Sequence, residues 1–304
     1  MTKYKTALIY LGIASIIWGI TIPILKMTLE QIPIFTLAFL RFTLASIFSL
    51  PIFLFDRKKR LDKKDLPTLL IVALLGTTLS ISLFFTGLKF SSAIDSSLII
   101  SLGPIATSII AFVYLKEKIS KIHLFGIALS FLGVLFIIFE STLSPKIQQQ
   151  SSVLGNLLIF GAVIAGSFFV ILSKKLFSHY KPTIIITFSF FIGAISFLPT
   201  AIIEYISEPN WLINVNMSGI FGVLFVGIFS SWLAYLIHEW SLEILPIHII
   251  SISSYLIPLV AIVSSIYLLG EKISQGFIFA AVLILIGTFF GTYSKHEHHK
   301  RHRV

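Results

Sequence analysis

The sequence lacks cysteine and has little charge: of its 304 residues, 12% are Asp, Glu, Lys or Arg, about half the roughly 25% typical of soluble domains. The absence of cysteine excludes a disulfide framework and thiolate chemistry. There is also no glycine-rich phosphate loop, no His-Glu-x-x-His motif and no Gly-x-Ser-x-Gly motif. We therefore expect neither ATP hydrolysis nor a protease or hydrolase site, and no cofactor.

Hydrophobic residues make up 56% of the chain, and mean hydropathy is +0.98. They occur in runs near 20 residues long, which suit the roughly 30 Å hydrocarbon thickness that a helix must cross. A membrane barrel would instead need short segments of alternating hydrophobicity. The sequence predicts an all-α polytopic membrane protein with ten transmembrane helices. The ten spans lie at about 5–25, 33–55, 66–88, 93–115, 121–139, 152–173, 183–205, 217–238, 247–269 and 276–294.

The net charge of +10 is concentrated on one side of these spans. If the N-terminus is inside, most Lys and Arg residues fall in inner segments, including the run 57–60 and the tail 295–303. The positive-inside bias therefore predicts a multi-pass protein of the cytoplasmic membrane with both termini in the cytoplasm. Nucleic-acid binding is the competing interpretation of a basic chain. It is disfavoured because the charges flank spans and no soluble domain carries a binding groove.

The two halves of the chain repeat. Pro104 and the segment 117–120 (Glu-Lys-Ile-Ser) recur 154 residues later as Pro258 and the segment 271–274. Repeated apolar halves are typical of secondary transporters. Each half has five spans, and this odd number predicts that the second half is inverted relative to the first. The predicted parts are a first repeat at 1–139, an outer linker at 140–151, a second repeat at 152–294 and a basic, His-rich cytoplasmic tail at 295–304.

Several short motifs, in this order and with this duplication, carry a resemblance to a known family. They are Trp18-Gly19 followed by Lys26, Leu40-Arg41-Phe42, Gly87-Leu88-Lys89-Phe90, Leu115-Lys116-Glu117-Lys118 and Leu269-Gly270-Glu271-Lys272. On these residues the chain resembles the drug/metabolite transporter superfamily, in its ten-span exporter branch built from two EamA-type repeats. One departure is visible, because Ser241-Leu242-Glu243 stands where the first half has Gly87-Leu88-Lys89.

The resemblance implies a secondary transporter that exports amino acids or related small metabolites by alternating access, with no enzymatic activity. It also implies a central site walled by spans one, three, four, six, eight and nine. The resemblance further implies that proton antiport or downhill exchange drives transport. Multidrug efflux and nucleotide-sugar or sugar-phosphate exchange are alternatives within the superfamily. A membrane scaffold or enzyme is the alternative outside it. The expected partners are a small-molecule substrate and the lipid bilayer, and one chain is enough for a complete pathway.

A surface of small and hydroxyl-bearing residues recurs in the fourth and ninth spans with helical spacing of three or four. Such hydroxyls either bond across closely packed helices or line a polar cavity. Prolines there free backbone carbonyls that can meet a ligand. The residues that either pack between helices or line the cavity are Ser97, Ser101, Ser251 and Tyr255. Gly103, Pro104 and Pro258 are hinge candidates. Trp18, Trp232 and Tyr235 lie well inside spans one and eight, where they either pack or wall a small-molecule pocket.

Arg41 and Asp95 are charged residues within predicted spans, where charge is costly. Arg41 lies in span two, about 12 Å from its outer end at 1.5 Å per residue, and we expect it to pair with a carboxylate or with carbonyls. Asp95 stands among serines at the start of span four. It either caps that helix or takes part in proton coupling or cation recognition, paired with Arg41.

A further cluster, His238, Glu239, Glu243 and His248, surrounds the loop between spans eight and nine. It is either a proton relay or a wetted loop end. The histidines of the tail 295–303 either bind metal or belong to a basic tail on anionic lipid. We assign no metal site to the apolar part of the chain.

Overall fold

The computed structural model describes residues 3–55, 61–116, 120–140, 151–177, 179–245, 249, 253 and 255–293. Within these residues the chain forms helices and no strand, as the sequence predicts. The helices are α1 (Lys3–Leu29), α2 (Ile34–Phe55), α3 (Leu66–Ala73), α4 (Ser80–Lys89), α5 (Ala93–Ile100), α6 (Gly103–Leu115), α7 (Lys121–Glu140), α8 (Val153–Leu176), α9 (Pro182–Ser207), α10 (Trp211–Asn214), α11 (Met217–Leu224), α12 (Ala234–Ile244), α13 (Leu256–Leu269) and α14 (Gln275–Tyr293).

Eight helical segments of the described chain are long and apolar enough to cross a membrane. Two further apolar helices, Leu256–Leu269 and Gln275–Gly291, fall below that length. The 14 residues of α13 rise about 21 Å at 1.5 Å each, less than the hydrocarbon thickness. The all-helical fold is therefore confirmed, whereas helix length does not establish the predicted number of ten spans.

The fourth predicted span is two helices rather than one. α5 ends at Ile100 and α6 begins at Gly103. In the turn between them, the N–H of Ser101 donates to the carbonyls of Ser97 and Leu98, both at 3.2 Å. Pro104 lies in the first turn of α6, where its missing N–H removes no helical hydrogen bond. The proline in the sequence therefore marks the start of a new helix.

Two π-helical segments interrupt the α-helices, and the sequence predicts neither of them. The first, Leu74–Leu79, joins α3 to α4, and the second, Phe225–Leu233, joins α11 to α12. They occupy corresponding places in the two halves, since Ser231 follows Thr77 by the repeat offset of 154 residues. Such segments are rare and frequently occur at functional sites.

Equivalent residues also end the helices that precede the repeated Glu-Lys-Ile-Ser segments. Lys116, after α6, has φ of 56°, and Gly270, after α13, has φ of 64°. These two residues are again 154 positions apart. A left-handed residue at a helix C-terminus satisfies carbonyls that the helix leaves free. The two halves therefore terminate corresponding helices with the same backbone geometry.

Close packing of α7 against α14 depends on glycines. A Cβ atom added to Gly126 would lie 2.4 Å from the backbone nitrogen of Gly291, and one added to Gly287 would lie 2.5 Å from that of Ser130. Gly287 and Gly291 are four residues apart, the spacing at which small residues allow membrane helices to approach closely. These glycines therefore hold the last helix of each half against the other.

We expect Gly287→Ala to lower stability by about 1–3 kcal/mol, the usual effect of overpacking, because the added methyl group meets the backbone of α7. The matched control is Gly12→Ala, since a Cβ there has no atom within 4 Å. Thermal unfolding in detergent measures both. Equal melting temperatures for the two variants would contradict this account of the α7–α14 contact.

Candidate functional site

A cavity of about 160 Å³ lies between the break in α5–α6 and the start of α13. No charged side chain lines it within the described residues. Its walls are Ser97, Ile100, Ser101, Pro104, Tyr255, Ile257 and Pro258. Five members of the repeated surface thus meet around one space. Gly103 is next to it with no atom within 4 Å of an added Cβ, and Ser251 lies outside the described residues.

The two serines present oxygen acceptors to this cavity. The Ser97 hydroxyl donates to the carbonyl of Ile94 at 2.7 Å, and the Ser101 hydroxyl donates to that of Leu98 at 2.6 Å. Each hydroxyl proton is therefore engaged within its own helix. The remaining lone pairs are acceptors, so the polar part of the wall suits a ligand that brings N–H donors.

The cavity is suited to small solutes by its volume. A cavity of about 150 Å³ in another protein accepts a benzene molecule, whereas drug-sized ligands occupy pockets of about 300–1,000 Å³. The cavity of 160 Å³ between α5–α6 and α13 is therefore close in volume to the cavity that accepts benzene. In this conformation the cavity has room for a molecule about the size of benzene and is too small for a nucleotide sugar.

Aromatic residues of α1, α9 and α12 form a second cluster. The Trp18 ring lies 5.2 Å from that of Tyr235 and 5.0 Å from that of His238, while Tyr235 lies 5.8 Å from Phe190. The indole N–H of Trp18 donates to the carbonyl of Ser230 in the second π-helical segment, at 3.1 Å. Two of the three aromatic candidates from the sequence, Trp18 and Tyr235, are thus in contact.

Trp232 takes a different position. Its ring packs 5.4 Å from that of Phe48, and its indole nitrogen is buried without a hydrogen-bond partner. With Tyr235 and Glu239 it lines a second space of about 20 Å³, which is room for one water molecule. Trp232 therefore belongs to this small pocket and not to the ring cluster around Trp18.

Arg41 is buried, with 7% exposure. Its Nε donates to the Ser231 hydroxyl at 2.6 Å, and that hydroxyl donates to the carbonyl of Val226 at 2.9 Å. Its guanidinium carbon lies 5.5 Å from the ring of Phe42 and 5.6 Å from that of Phe85. A serine of the π-helical segment and two aromatic rings thus surround the charge.

The hypothesis that Arg41 pairs with Asp95 is not met. Neither residue forms an ion pair in the described part of the chain. Asp95 instead lies close to the hydroxyls of Ser92 and Ser151. The N-cap of α5 is Ser92, whose hydroxyl accepts a hydrogen bond from the Asp95 N–H at 2.9 Å. Asp95 therefore lies in the first turn, where the helix dipole favours its charge, and is not the cap itself.

The N-terminus of α5 has a second cap, from the other half of the chain. The two carboxylate oxygens of Glu271 accept from the N–H groups of Ala93 at 2.8 Å and Ile94 at 2.9 Å. Lys26 of α1 lies 3.3 Å from the same carboxylate and also donates to the carbonyl of Ser91. We name this arrangement, Lys26, Glu271 and the start of α5, the Lys26–Glu271 lock.

The sequence pattern does not predict this lock, because it identifies Glu271 only as part of the repeated Glu-Lys-Ile-Ser segment. In the second half, the lysine equivalent to Lys26 is Lys174, 148 residues later. Its side chain has a different environment. Lys174 is exposed, and no ion pair or hydrogen bond of its side chain occurs in the described part of the chain. The chain is thus tied at the Glu271 end and has the equivalent lysine free at the other.

A smaller polar cluster lies at that other end. The Tyr180 hydroxyl donates to the Asp65 carboxylate at 2.8 Å and accepts from the N–H of Asp62 at 2.9 Å, while His179 lies 3.4 Å from Asp65. Burial, together with the Asp65 carboxylate, raises the pKa of Tyr180. The hydroxyl therefore keeps its proton at neutral pH and joins the start of α3 to the α8–α9 connection.

The remaining predicted clusters are only partly visible. His238 Nδ1 lies 3.6 Å from the Glu239 carboxylate and has no hydrogen bond. The Glu243 side chain, His248 and the tail 295–303 lie outside the described residues. Among the residues that the structure does describe, no three metal-ligating side chains come together.

We expect Glu271→Gln to lower stability by roughly 1.5–3 kcal/mol, the value of a hydrogen bond to a charged group, because the lock loses its charge. The exposed Glu208→Gln serves as the matched control. Melting temperatures of Glu271→Gln, Lys26→Met and the double variant form a cycle that isolates the coupling. Strictly additive losses would contradict a direct interaction between Lys26 and Glu271.

Known proteins resemble this chain over nearly its whole length. Two relatives from Bacillus subtilis (strain 168), the uncharacterized transporters YyaM and YetK, are 28% and 29% identical over 90% and 96% of this chain, and 89% and 88% of their own. A protein of Salmonella typhimurium named as a probable amino-acid metabolite efflux pump is 26% identical, over 91% of this chain and 92% of its own. One solved crystal structure shares the fold, with a TM-score of 0.64 at 16% identity over 95% of this chain and 98% of its own.

The family comparison matches both halves separately. The model described as the EamA-like transporter family covers residues 5–139 and, a second time, residues 153–293. These two matches take in every helix that lines the cavity and both partners of the Lys26–Glu271 lock. The chain is therefore a multi-pass membrane protein of the EamA-like transporter family, a family of transporters and not of enzymes.

Proposed function

We propose that this transporter exports amino acids or related small metabolites across the cytoplasmic membrane by alternating access. The observation that carries the proposal is the cavity of about 160 Å³ at the break in α5–α6, which has no charged side chain among the described residues of its wall. Membrane transporters typically bind substrate where helices are discontinuous near the bilayer midplane, at the interface between repeats. The cavity lies between helices of the two repeated halves and has both prolines of the repeat in its wall.

We further propose ten spans in two inverted repeats, with α13 as part of the ninth crossing. Three pairs of corresponding features support this arrangement. These are the prolines Pro104 and Pro258, the left-handed residues Lys116 and Gly270, and the two π-helical segments. The division into repeats at 1–139 and 152–294 is proposed on the same ground, with both termini in the cytoplasm.

Alternating access needs an element that closes each end in turn. The Lys26–Glu271 lock is closed in this structure, while Lys174 is exposed at the opposite end. With both termini cytoplasmic, the Glu271 end faces outward, and the structure corresponds to an outward-closed state. Gly103, Pro104 and Pro258 are the hinge positions, since they lie next to the cavity where helical hydrogen bonding is interrupted.

Substrate class follows from the size and charge of the site. A nucleotide sugar or sugar phosphate needs several cationic side chains, and no charged residue lines the cavity in the described chain. The acceptor oxygens of Ser97 and Ser101 suit an ammonium group. The name of the Salmonella typhimurium relative agrees with an amino-acid cargo. We therefore favour amino acids over phosphorylated solutes.

Flux in proteoliposomes tests the proposal, using a mixed panel of amino acids with and without an imposed pH gradient. We expect selective flux of amino acids, and its dependence on the gradient distinguishes proton antiport from downhill exchange. No flux from folded protein above that of protein-free liposomes would contradict the proposed function.

The cavity itself is tested by Tyr255→Leu and Ser101→Leu. We expect both to reduce flux at least about tenfold, since a loss of 1.4 kcal/mol or more in substrate binding has that effect, with little change in melting temperature. Tyr267→Leu is the matched control, because Tyr267 is on the same helix as the cavity wall but 84% exposed. Full flux in both cavity variants would contradict a role of the cavity in the transport pathway.

A further inference from the structure

Arg41 is a buried cation with unused donors. Its Nε is bound by Ser231, and its two terminal nitrogens, which carry four N–H groups, form no hydrogen bond within the described chain. They are also absent from the fully buried polar atoms that lack partners, which include Trp232 Nε1 and His238 Nδ1. The terminal nitrogens are therefore unpaired yet border open space.

A guanidinium in this position is expensive unless something compensates its charge. Charged side chains inside a membrane almost always pair with one another or with carbonyls. Here Ser231 supplies one neutral hydrogen bond, and the rings of Phe42 and Phe85 supply cation–π contacts. No carboxylate of the described residues lies within ion-pair distance. The charge thus has local support but no counter-ion.

The surroundings of Arg41 are largely aromatic. Ile100 lines the cavity and also packs against the core cluster that contains Phe42 and Phe85. Tyr235 is close enough to Arg41 to interact with it electrostatically, and its ring contacts Trp18 and Phe190. The guanidinium therefore lies among aromatic rings.

We propose that Arg41 is the specificity-determining residue for the carboxylate of the substrate. A planar guanidinium edge with two terminal nitrogens matches a carboxylate bidentately. The neighbouring rings favour an apolar or aromatic side chain on the same molecule. The substrate class is then a zwitterionic amino acid with an apolar or aromatic side chain, an inference that rests on the proposed function and extends it.

The test compares binding of apolar and aromatic amino acids with binding of their amides, which keep the ammonium group and lose the carboxylate. The purified full chain in detergent is titrated with each pair. We expect at least one pair for which the unmodified protein prefers the acid by tenfold or more, and we expect Arg41→Gln to reduce that preference to threefold or less. Arg41→Lys keeps the charge but loses the bidentate edge, so it should keep only part of the preference.

A structural role for Arg41 predicts a different result. Arg41→Gln would then lower the melting temperature while the ratio of acid to amide binding stayed the same. If Arg41→Gln does not fold, Ser231→Ala takes its place, since it frees Nε without removing the charge and should weaken the preference at least threefold. An unchanged ratio in the folded variants, or no acid preference in the unmodified protein, would overturn the assignment.

The outcome also separates this inference from the proposed function. If the amides and the acids show equal flux in proteoliposomes, the protein is a transporter but Arg41 does not recognise the substrate carboxylate. Absence of flux for every solute in the panel would instead contradict the proposed function.

Discussion

The arrangement of the two halves depends on glutamates that cap helices of the other half. Glu271 accepts from the first N–H groups of α5, and Glu204 accepts from the N–H groups of Phe35 and Thr36 at 3.1 and 2.7 Å. The first turn of a helix has unsatisfied donors and a positive dipole end. Away from water those donors need a partner, and a carboxylate from the other half supplies one. Each cap therefore ties the position of one half to the other at the same end of the molecule.

This constraint links the Lys26–Glu271 lock to the cavity in the structure. Glu271 holds the start of α5, and α5 ends eight residues on at the break that opens the cavity. A movement of the second half that withdraws Glu271 uncaps α5 and changes the position of Ser97 and Ser101 together. Lys26 stabilises the closed arrangement, because it offsets the charge of a carboxylate that is 9% exposed. In the proposed mechanism, binding and gating would thus be coupled through one short helix.

Much of this could be predicted from the sequence, and the parts that could not share a cause. Run length gave the all-helical membrane fold, and the duplicated prolines located the cavity, since Ser97, Ser101, Tyr255 and both prolines all line it. Helical spacing describes which residues share a face but not what faces them. The Lys26–Glu271 contact joins residues that are 245 positions apart, and the pairing of Arg41 with Asp95 was wrong for the same reason. The π-helical segments have no sequence pattern comparable to proline, so they too were missed.

The chain has no cysteine, so a single Ser101→Cys reports the accessibility of the cavity without background. The decisive measurement is its labelling rate by a membrane-impermeant thiol reagent from each side, with and without Glu271→Gln. If the lock closes the Glu271 end, the glutamine variant will be labelled faster from that side and more slowly from the opposite side. Identical rates on both sides in the two backgrounds would contradict alternating access controlled by this lock.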